Sequence, residues 1–126
     1  MTVMGAFVKV QNLDSEIVDL PRITVCNTFG TRLRGLMFRR TLGTGEGLLL
    51  VGARDHRLDS AIHMLFVPFD LAVIWINSNL QVADKVLAKA WRAAYVPARP
   101  AKYVLELNPV HFSAYAVGHK VAIIDV

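Results

Sequence analysis

Five side chains able to bind a metal or exchange protons lie close together in the middle of the sequence. They span 16 residues and are Asp55, His56, Asp59, His63 and Asp70. Imidazole and carboxylate groups are good ligands for Zn²⁺ and other divalent ions. However, a strand places only alternate residues on one face, and no H-x-E-x-x-H type of spacing fixes a coordination geometry. We therefore expect no metal and no cofactor, and interpret His63 as a packed or hydrogen-bonded histidine.

The single cysteine, Cys26, is a second candidate for chemistry. A nucleophilic thiol needs a nearby base and a lowered pKa. Thr24 and Val25 before it instead favour a buried strand, and free cysteines are most often packing residues. We interpret Cys26 as structural, and one cysteine excludes an intramolecular disulfide framework.

Basic residues give the strongest chemical signal. No acidic residue interrupts the first group, which is Arg22, Arg32, Arg34, Arg39 and Arg40. Such a cluster is suited to a phosphate or carboxylate. A second basic segment, Lys85 to Lys102, is interleaved with Trp91, Tyr95 and Tyr103, a combination that can clamp single-stranded nucleic acid. The net charge of +4 is modest for that function, so a solvated basic face is the leading interpretation, then anion binding, with nucleic acid last.

Composition limits the elements that could position these residues. The chain has 126 residues, 54% hydrophobic and 19% charged, which fits one domain over 1–126 and argues against disorder. The longest apolar run, Leu71 to Ile76, is far shorter than the roughly 20 residues of a spanning helix. No signal-peptide pattern is present at the N-terminus. The sequence predicts a soluble, cytoplasmic protein without a membrane segment and leaves the oligomeric state open.

Short apolar or alternating runs predict about eight strands. They are Ala6–Val10, Arg22–Asn27, Gly47–Val51, Ser60–Phe66, Phe69–Ile76, Leu80–Leu87, Ala101–Leu107 and Lys120–Val126. Asn77-Ser78-Asn79 is a turn, so the strand after it is expected to pair with Phe69–Ile76 as a hairpin. This spacing predicts a mainly β (α+β) fold, a jelly-roll-like or barrel-like sandwich.

Two helices complete the predicted fold. The longer begins at Asn27 or Thr28 and runs to Arg39, with an apolar face. Gly35 lies inside it at a cost of about 1 kcal/mol relative to Ala, so we expect another backbone to approach there. The shorter helix has Pro109 in its first turn and ends before Gly118.

Four motifs in register resemble the domain of unknown function 192 family, also called uncharacterised protein family 0127. They are Arg34-Gly35-Leu36-Met37-Phe38-Arg39, Gly47-Leu48-Leu49-Leu50, Ile62-His63-Met64 leading into Phe69-Asp70-Leu71, and Pro100-Ala101-Lys102-Tyr103-Val104-Leu105-Glu106-Leu107. The match covers about 25–124. The resemblance implies a compact β-rich domain with jelly-roll-like topology, a Gly35-Leu36-Met37 helix near its start, and no settled activity. Two acidic positions of the family pattern are lost, at Ala72 and His119, which puts any catalytic role for them in doubt.

These observations lead to one function and two alternatives. The leading function is a binding module for a small anionic ligand or a partner. Its candidate ligand-binding residues are Arg34, His63, Asp70, Trp91 and Arg99, the last two from a long Pro-containing loop, the kind of segment that carries binding on rigid scaffolds. The first alternative is a hydrolytic or metal-assisted enzyme using His63 and Asp70, with Arg34 as an electrophilic stabiliser. The second is a structural or nucleic-acid-contacting domain.

Overall fold

A computed structural model describes residues 7–17, 19–27, 36–37 and 39–126. Seven strands and one 3-10 helix make up the regular structure of these residues. The strands are β1 Phe7–Asn12, β2 Arg22–Cys26, β3 Glu46–His56, β4 Leu71–Ile76, β5 Val82–Ala88, β6 Ala101–Leu107 and β7 Val121–Asp125. The 3-10 helix is Pro109–Ala114, with Asn108 as its N-cap and proline in its first turn.

All seven strands belong to one sheet in the order β5-β4-β6-β3-β2-β1-β7. Strands β2 and β3 are parallel, and the other neighbours are antiparallel. The two edge strands meet at one end, where Gln81 bridges Lys120 and Val121 N–H donates to Leu80 O at 2.9 Å. The sheet therefore curls toward a barrel rather than forming two facing layers.

Each face of the sheet carries its own apolar cluster, because strand side chains alternate between faces. The first cluster contains Cys26, Leu48, Leu50, Trp75 and Val104. The second contains Ile23, Leu49, Ile74, Leu105 and Tyr115. All six residues of β4 are buried, as expected for a strand covered on both sides.

The structure confirms the mainly β class, the β4–β5 hairpin and the short final helix. Of the predicted jelly-roll-like or barrel-like sandwich, the described residues show the curl toward a barrel but a single sheet in place of two packed layers. The predicted strand Ser60–Phe66 is also wrong, because only Ile62 makes a bridge there. The predicted longer helix falls mainly on residues 28–35 and 38, outside the described residues, and Leu36 and Met37 lie in a turn.

Candidate functional site

A break in the β3–β6 pairing opens space beside the first cluster. Val51 pairs with Tyr103, and pairing resumes only at His56 with Ala101. Between these two pairs β3 advances by five residues and β6 by only two, so β3 contains three extra residues. Such bulges bend a strand away from its partner, and here the bulged residues form one wall of a cavity.

The segment after β3 forms the opposite wall and is held by specific hydrogen bonds. Trp75 Nε1 donates to Ser60 O at 2.7 Å, which ties the segment to the centre of the sheet. Ile62 and Tyr95 then exchange two backbone hydrogen bonds of 3.0 and 2.8 Å. Met64 N–H donates to Arg92 O at 2.8 Å. This wall is therefore positioned although it is not a strand of the sheet.

The cavity between these walls has a volume of about 440 Å³ and opens to solvent. This size lies within the usual range of small-molecule sites. Its apolar lining, among the described residues, consists mainly of Leu36, Met37, Leu50, Ile62, Met64, Val67, Leu71 and Val104. The cavity can therefore hold a small, mainly apolar molecule.

Glu106 is the buried ionisable group in this lining. It is only 5% exposed and lies on β6 between Leu48 of β3 and Val73 of β4. No other described residue donates a hydrogen bond to its carboxyl group, which lines the cavity, and no fully buried side-chain oxygen or nitrogen of the described residues lacks a partner. Burial raises the pKa of Glu106 to about 7, because an apolar environment disfavours the charged form.

The thiol of Cys26, on β2, interacts electrostatically with the Glu106 carboxyl group. Burial, and then the nearby negative charge of Glu106, raise the pKa of the Cys26 thiol. A nucleophilic cysteine needs the opposite shift. The structural interpretation of Cys26 therefore agrees with its buried position in the first cluster.

Charged groups surround the outer part of the cavity. Arg54 on the β3 bulge and Asp59 are both exposed, and their nearest charged atoms are 3.6 Å apart. His63 also lines the cavity, and its Nδ1 accepts a hydrogen bond from Leu65 N–H at 3.2 Å. Lys102 completes this group from β6. The charge of the mouth is thus mixed, whereas the interior is apolar apart from Glu106.

Of the predicted ligand-binding residues that the structure describes, His63 alone lines the cavity. The Asp70 carboxylate accepts a hydrogen bond from Ala90 N–H at 2.9 Å and lies 3.5 Å from Lys89 Nζ. These two groups, the amide first, lower the pKa of Asp70. Arg99 is exposed outside the cavity lining, and Arg34 lies outside the described residues.

Trp91 is exposed, as its sequence context predicts, and lies beside the cavity rather than in its lining. Its ring makes an edge-on contact with Phe66, with centroids 5.6 Å apart. Both residues have positive φ, 67° for Trp91 and 61° for Phe66, a strained conformation for bulky side chains. Trp91 N–H donates to Met64 O at 3.0 Å and so joins this aromatic pair to the cavity wall.

Within the family motif Gly35-Leu36-Met37, the last two residues line the cavity, and Leu36 is buried. Gly35 lies outside the described residues. Among the described glycines, a close backbone approach occurs at Gly47, where a Cβ atom would lie 2.8 Å from Glu106 O.

Glu106 is the functional candidate that reasoning from the sequence missed. The sequence reads Val-Leu-Glu-Leu, a carboxylate between two leucines in a strand buried on both faces. Acidic residues are almost never fully buried unless paired. That single conflict between residue type and strand pattern is the signal that identifies Glu106.

The described residues contain no group of three or more His, Cys, Asp or Glu side chains placed to hold a metal ion. The histidines and aspartates that lie close together in the sequence do not converge on one site. His63 and Asp59 line the cavity, whereas the Asp70 carboxylate accepts a hydrogen bond from Ala90 N–H.

Together, the fold and the site define a protein built on one curled, mainly antiparallel sheet with a mainly apolar cavity on one face. The model of the domain of unknown function 192 family, described as "Uncharacterized ACR", matches residues 10–123. The chain belongs to this family. No helix among the described residues has the length and hydropathy needed to span a membrane.

Similar proteins come from archaea and bacteria. A UPF0127 protein of Thermococcus kodakarensis is 35% identical over 85 residues, which are 68% of this chain and 52% of the relative. One from Pyrococcus furiosus is 38% identical over 84 residues, 67% of this chain and 69% of the relative. The match thus spans about half of the Thermococcus protein.

A crystal structure of a protein of unknown function from Novosphingobium aromaticivorans has the same fold. It superposes with a TM-score of 0.78 at 22% identity and covers 92% of this chain and 83% of its own. At this level of identity the likeness concerns the fold alone.

Proposed function

We propose that this protein is a binding module for a small ligand with a mainly apolar body and one polar group directed at Glu106. The observation that carries the proposal is the carboxyl group of Glu106, a residue only 5% exposed, in the lining of a 440 Å³ apolar cavity, where no other described residue donates a hydrogen bond to it. Removing a carboxyl group from most of its surrounding water costs free energy. A ligand that supplies the missing hydrogen bond gains that free energy on binding.

The enzyme alternative based on His63 and Asp70 receives less support. A general base and a second carboxylate must converge on one reacting atom. His63 lines the cavity, whereas the Asp70 carboxylate is engaged with Ala90 and Lys89. The binding module therefore remains the better-supported function.

The anionic ligand and the nucleic-acid partner stay predictions. Arg39 pairs with Glu46 at 2.8 Å, which removes one arginine from the predicted cluster. The aromatic residues of the second basic segment also point to different places, since Tyr103 packs against the second cluster while Trp91 contacts Phe66. A mainly apolar ligand with a negative group near Arg54 or Lys102 is compatible with the cavity mouth.

The proposal is tested with a neutral probe, 1-hexanol, and methionine methyl NMR. Met37 and Met64 line the cavity, so their methyl signals should shift and saturate on titration. Ala61→Trp adds bulk to the half-buried wall and should abolish this response. Ala94→Trp, an exposed position outside the lining, is the matched control. No saturable shift in the unmodified chain, or an equal response in Ala61→Trp, would contradict the proposal.

A further inference from the structure

We infer that the ligand of this cavity carries a protonated primary or secondary amine whose N–H groups donate to the Glu106 carboxylate. This inference rests on the proposed function and specifies the chemical class of its ligand. It concerns Glu106, a residue of the cavity lining that is only 5% exposed and whose carboxyl group accepts no hydrogen bond from any other described residue.

The Glu106 carboxylate has apolar neighbours and no counter-ion among the described residues. Leu48 and Val73 flank Glu106 on the neighbouring strands, and no described cation pairs with it. A neutral donor would satisfy a hydrogen bond but leave the buried charge uncompensated. An ammonium group supplies both the donor and the opposite charge, and charge-assisted hydrogen bonds are the strong ones.

The residue types of the lining favour amines over quaternary ammonium ions. Proteins hold quaternary ammonium groups mainly through the faces of aromatic rings. The described lining contains no Phe, Tyr or Trp side chain. A carboxylate, in contrast, needs N–H or O–H donors for close contact, so the lining favours a nitrogen that still carries hydrogens.

Other titratable groups reach the cavity from each neighbouring element. Arg54 lines it from β3, Asp59 and His63 from the segment before β4, and Lys102 from β6. Cys26 on β2 is outside the lining but near enough to Glu106 for the two groups to interact electrostatically. Strand β4 contributes no charge, since its residues are all apolar. Arg54 and Asp59 are exposed and partly neutralise each other at 3.6 Å, which leaves Glu106 as the dominant buried charge available to a bound cation.

Protonation of Glu106 then competes with amine binding. Because the pKa of Glu106 is raised to about 7, the carboxyl is mainly protonated at pH 5.5 and mainly ionised at pH 8. An alkylamine stays protonated over this range. Its affinity should therefore rise roughly ten- to thirtyfold between the two pH values.

The test uses three probes with the same tail on the full chain: 1-hexylamine, 1-hexanol and hexyltrimethylammonium. We expect hexylamine to bind more tightly than the other two at pH 8 and to weaken at pH 5.5, with hexanol unaffected by pH. Glu106→Gln should weaken hexylamine about tenfold or more at pH 8 and remove its pH dependence, while hexanol binding persists. Glu16→Gln, at an exposed glutamate, is the control.

The outcomes separate the inference from the function on which it rests. If hexanol binds in the cavity but hexylamine gains nothing from Glu106, the amine inference is wrong and the binding module stands. If hexyltrimethylammonium binds as tightly as hexylamine, the requirement for N–H donors is wrong. If none of the probes binds, the inference and the proposed function both fail.

Discussion

Glu106 is the residue on which the chemistry of this protein depends. Most side chains around it are apolar, and the strands on both sides place Leu48 and Val73 beside it. An apolar residue in its place would pack in the first cluster without any electrostatic cost. The carboxyl group therefore carries a penalty in the unliganded chain, which is the pattern expected where stability is exchanged for function.

The raised pKa of Glu106 predicts how stability depends on pH. The pKa rises from 4.5 to about 7 on folding, so between these values the folded chain holds a proton that the unfolded chain has released. The free energy of unfolding therefore falls as pH rises through this window and levels off above it. We expect a loss of about 2 kcal/mol from Glu106 between pH 5.5 and pH 8.

Urea denaturation at the two pH values measures this effect. Glu106→Gln should flatten the pH dependence relative to the unmodified chain, since the other titrating groups are common to both. Parallel pH profiles for the two proteins would show that Glu106 is not a buried acid with a raised pKa.

The buried thiol of Cys26 gives a second prediction at this scale. Its raised pKa and its place in the first cluster both suppress the reactive thiolate. A thiol reagent such as a maleimide should modify the folded chain far more slowly than the chain in urea, with the amount of labelled protein followed by mass spectrometry. Equal rates in the two conditions would mean that Cys26 is accessible.

At the scale of elements, Gly47 sets how closely β3 packs against β2 and β6. A Cβ atom on Gly47 would lie 2.6 Å from Leu107 Cδ2, 2.8 Å from Glu106 O and 2.8 Å from Ile23 Cδ1. One of these atoms belongs to the backbone of β6, so the contact is not relieved by a side-chain rotation. Glycine at this position allows β3 to approach the strand that carries Glu106.

Gly47→Ala should therefore destabilise the chain by about 1–3 kcal/mol, the usual range for overpacking. Gly45→Ala is the matched control, because nothing lies within 4 Å of its added Cβ, and its effect should stay within about 0.5 kcal/mol. Chemical denaturation compares the two. A Gly47→Ala protein as stable as the control would mean that the strands can separate at little cost.

The elements also show where sequence patterns were informative. The strands β2, β4 and β6 follow from continuous or alternating apolar runs, and Asn77-Ser78-Asn79 marks the β4–β5 turn. Ser60–Phe66 has similar residues but is not a strand, because Ile62 and Met64 are buried by loop packing and by hydrogen bonds to the segment around Tyr95. The hydrophobic pattern of a short segment does not show whether its residues are buried in a strand or in a packed loop.

The site was harder to predict than the fold. Histidine is a residue type that points to chemistry wherever it occurs, as His63 does, whereas Glu106 stands in the sequence only as one member of a family motif. The cavity depends on the three extra residues in β3, and a bulge of this kind has no periodic signature. Its walls also meet through long-range contacts, such as Trp75 with Ser60 O, which no single segment of the sequence encodes.

At the scale of the whole molecule, the curled sheet is held by the joint between its two edge strands. Asn12 at the end of β1 is 3% exposed, and its Nδ2 is 2.9 Å from both Ala114 O and His119 Nδ1. The backbone carbonyl of His119 accepts a hydrogen bond from Val82 N–H at 2.9 Å. This buried amide thus links β1, the 3-10 helix and the contact that brings β5 and β7 together.

Asn12→Ala should lower the free energy of unfolding by about 2 kcal/mol, since it leaves the part-buried acceptors Ala114 O and His119 Nδ1 without their donor. Asn79→Ala, at an exposed turn position, should have little effect. The comparison is made by thermal and urea unfolding of both variants. A loss no greater in Asn12→Ala than in Asn79→Ala would show that the joint does not depend on this amide.

The most direct test of the account is the position of a ligand in the cavity, from a crystal structure of the full chain grown at pH 8 with 1-hexylamine. The account predicts the alkyl tail against Ile62, Met64 and Val104, with the nitrogen about 2.7–2.9 Å from a Glu106 carboxylate oxygen. A cavity filled by the chain's own side chains, or an amine bound elsewhere while Glu106 stays unpartnered, would contradict it.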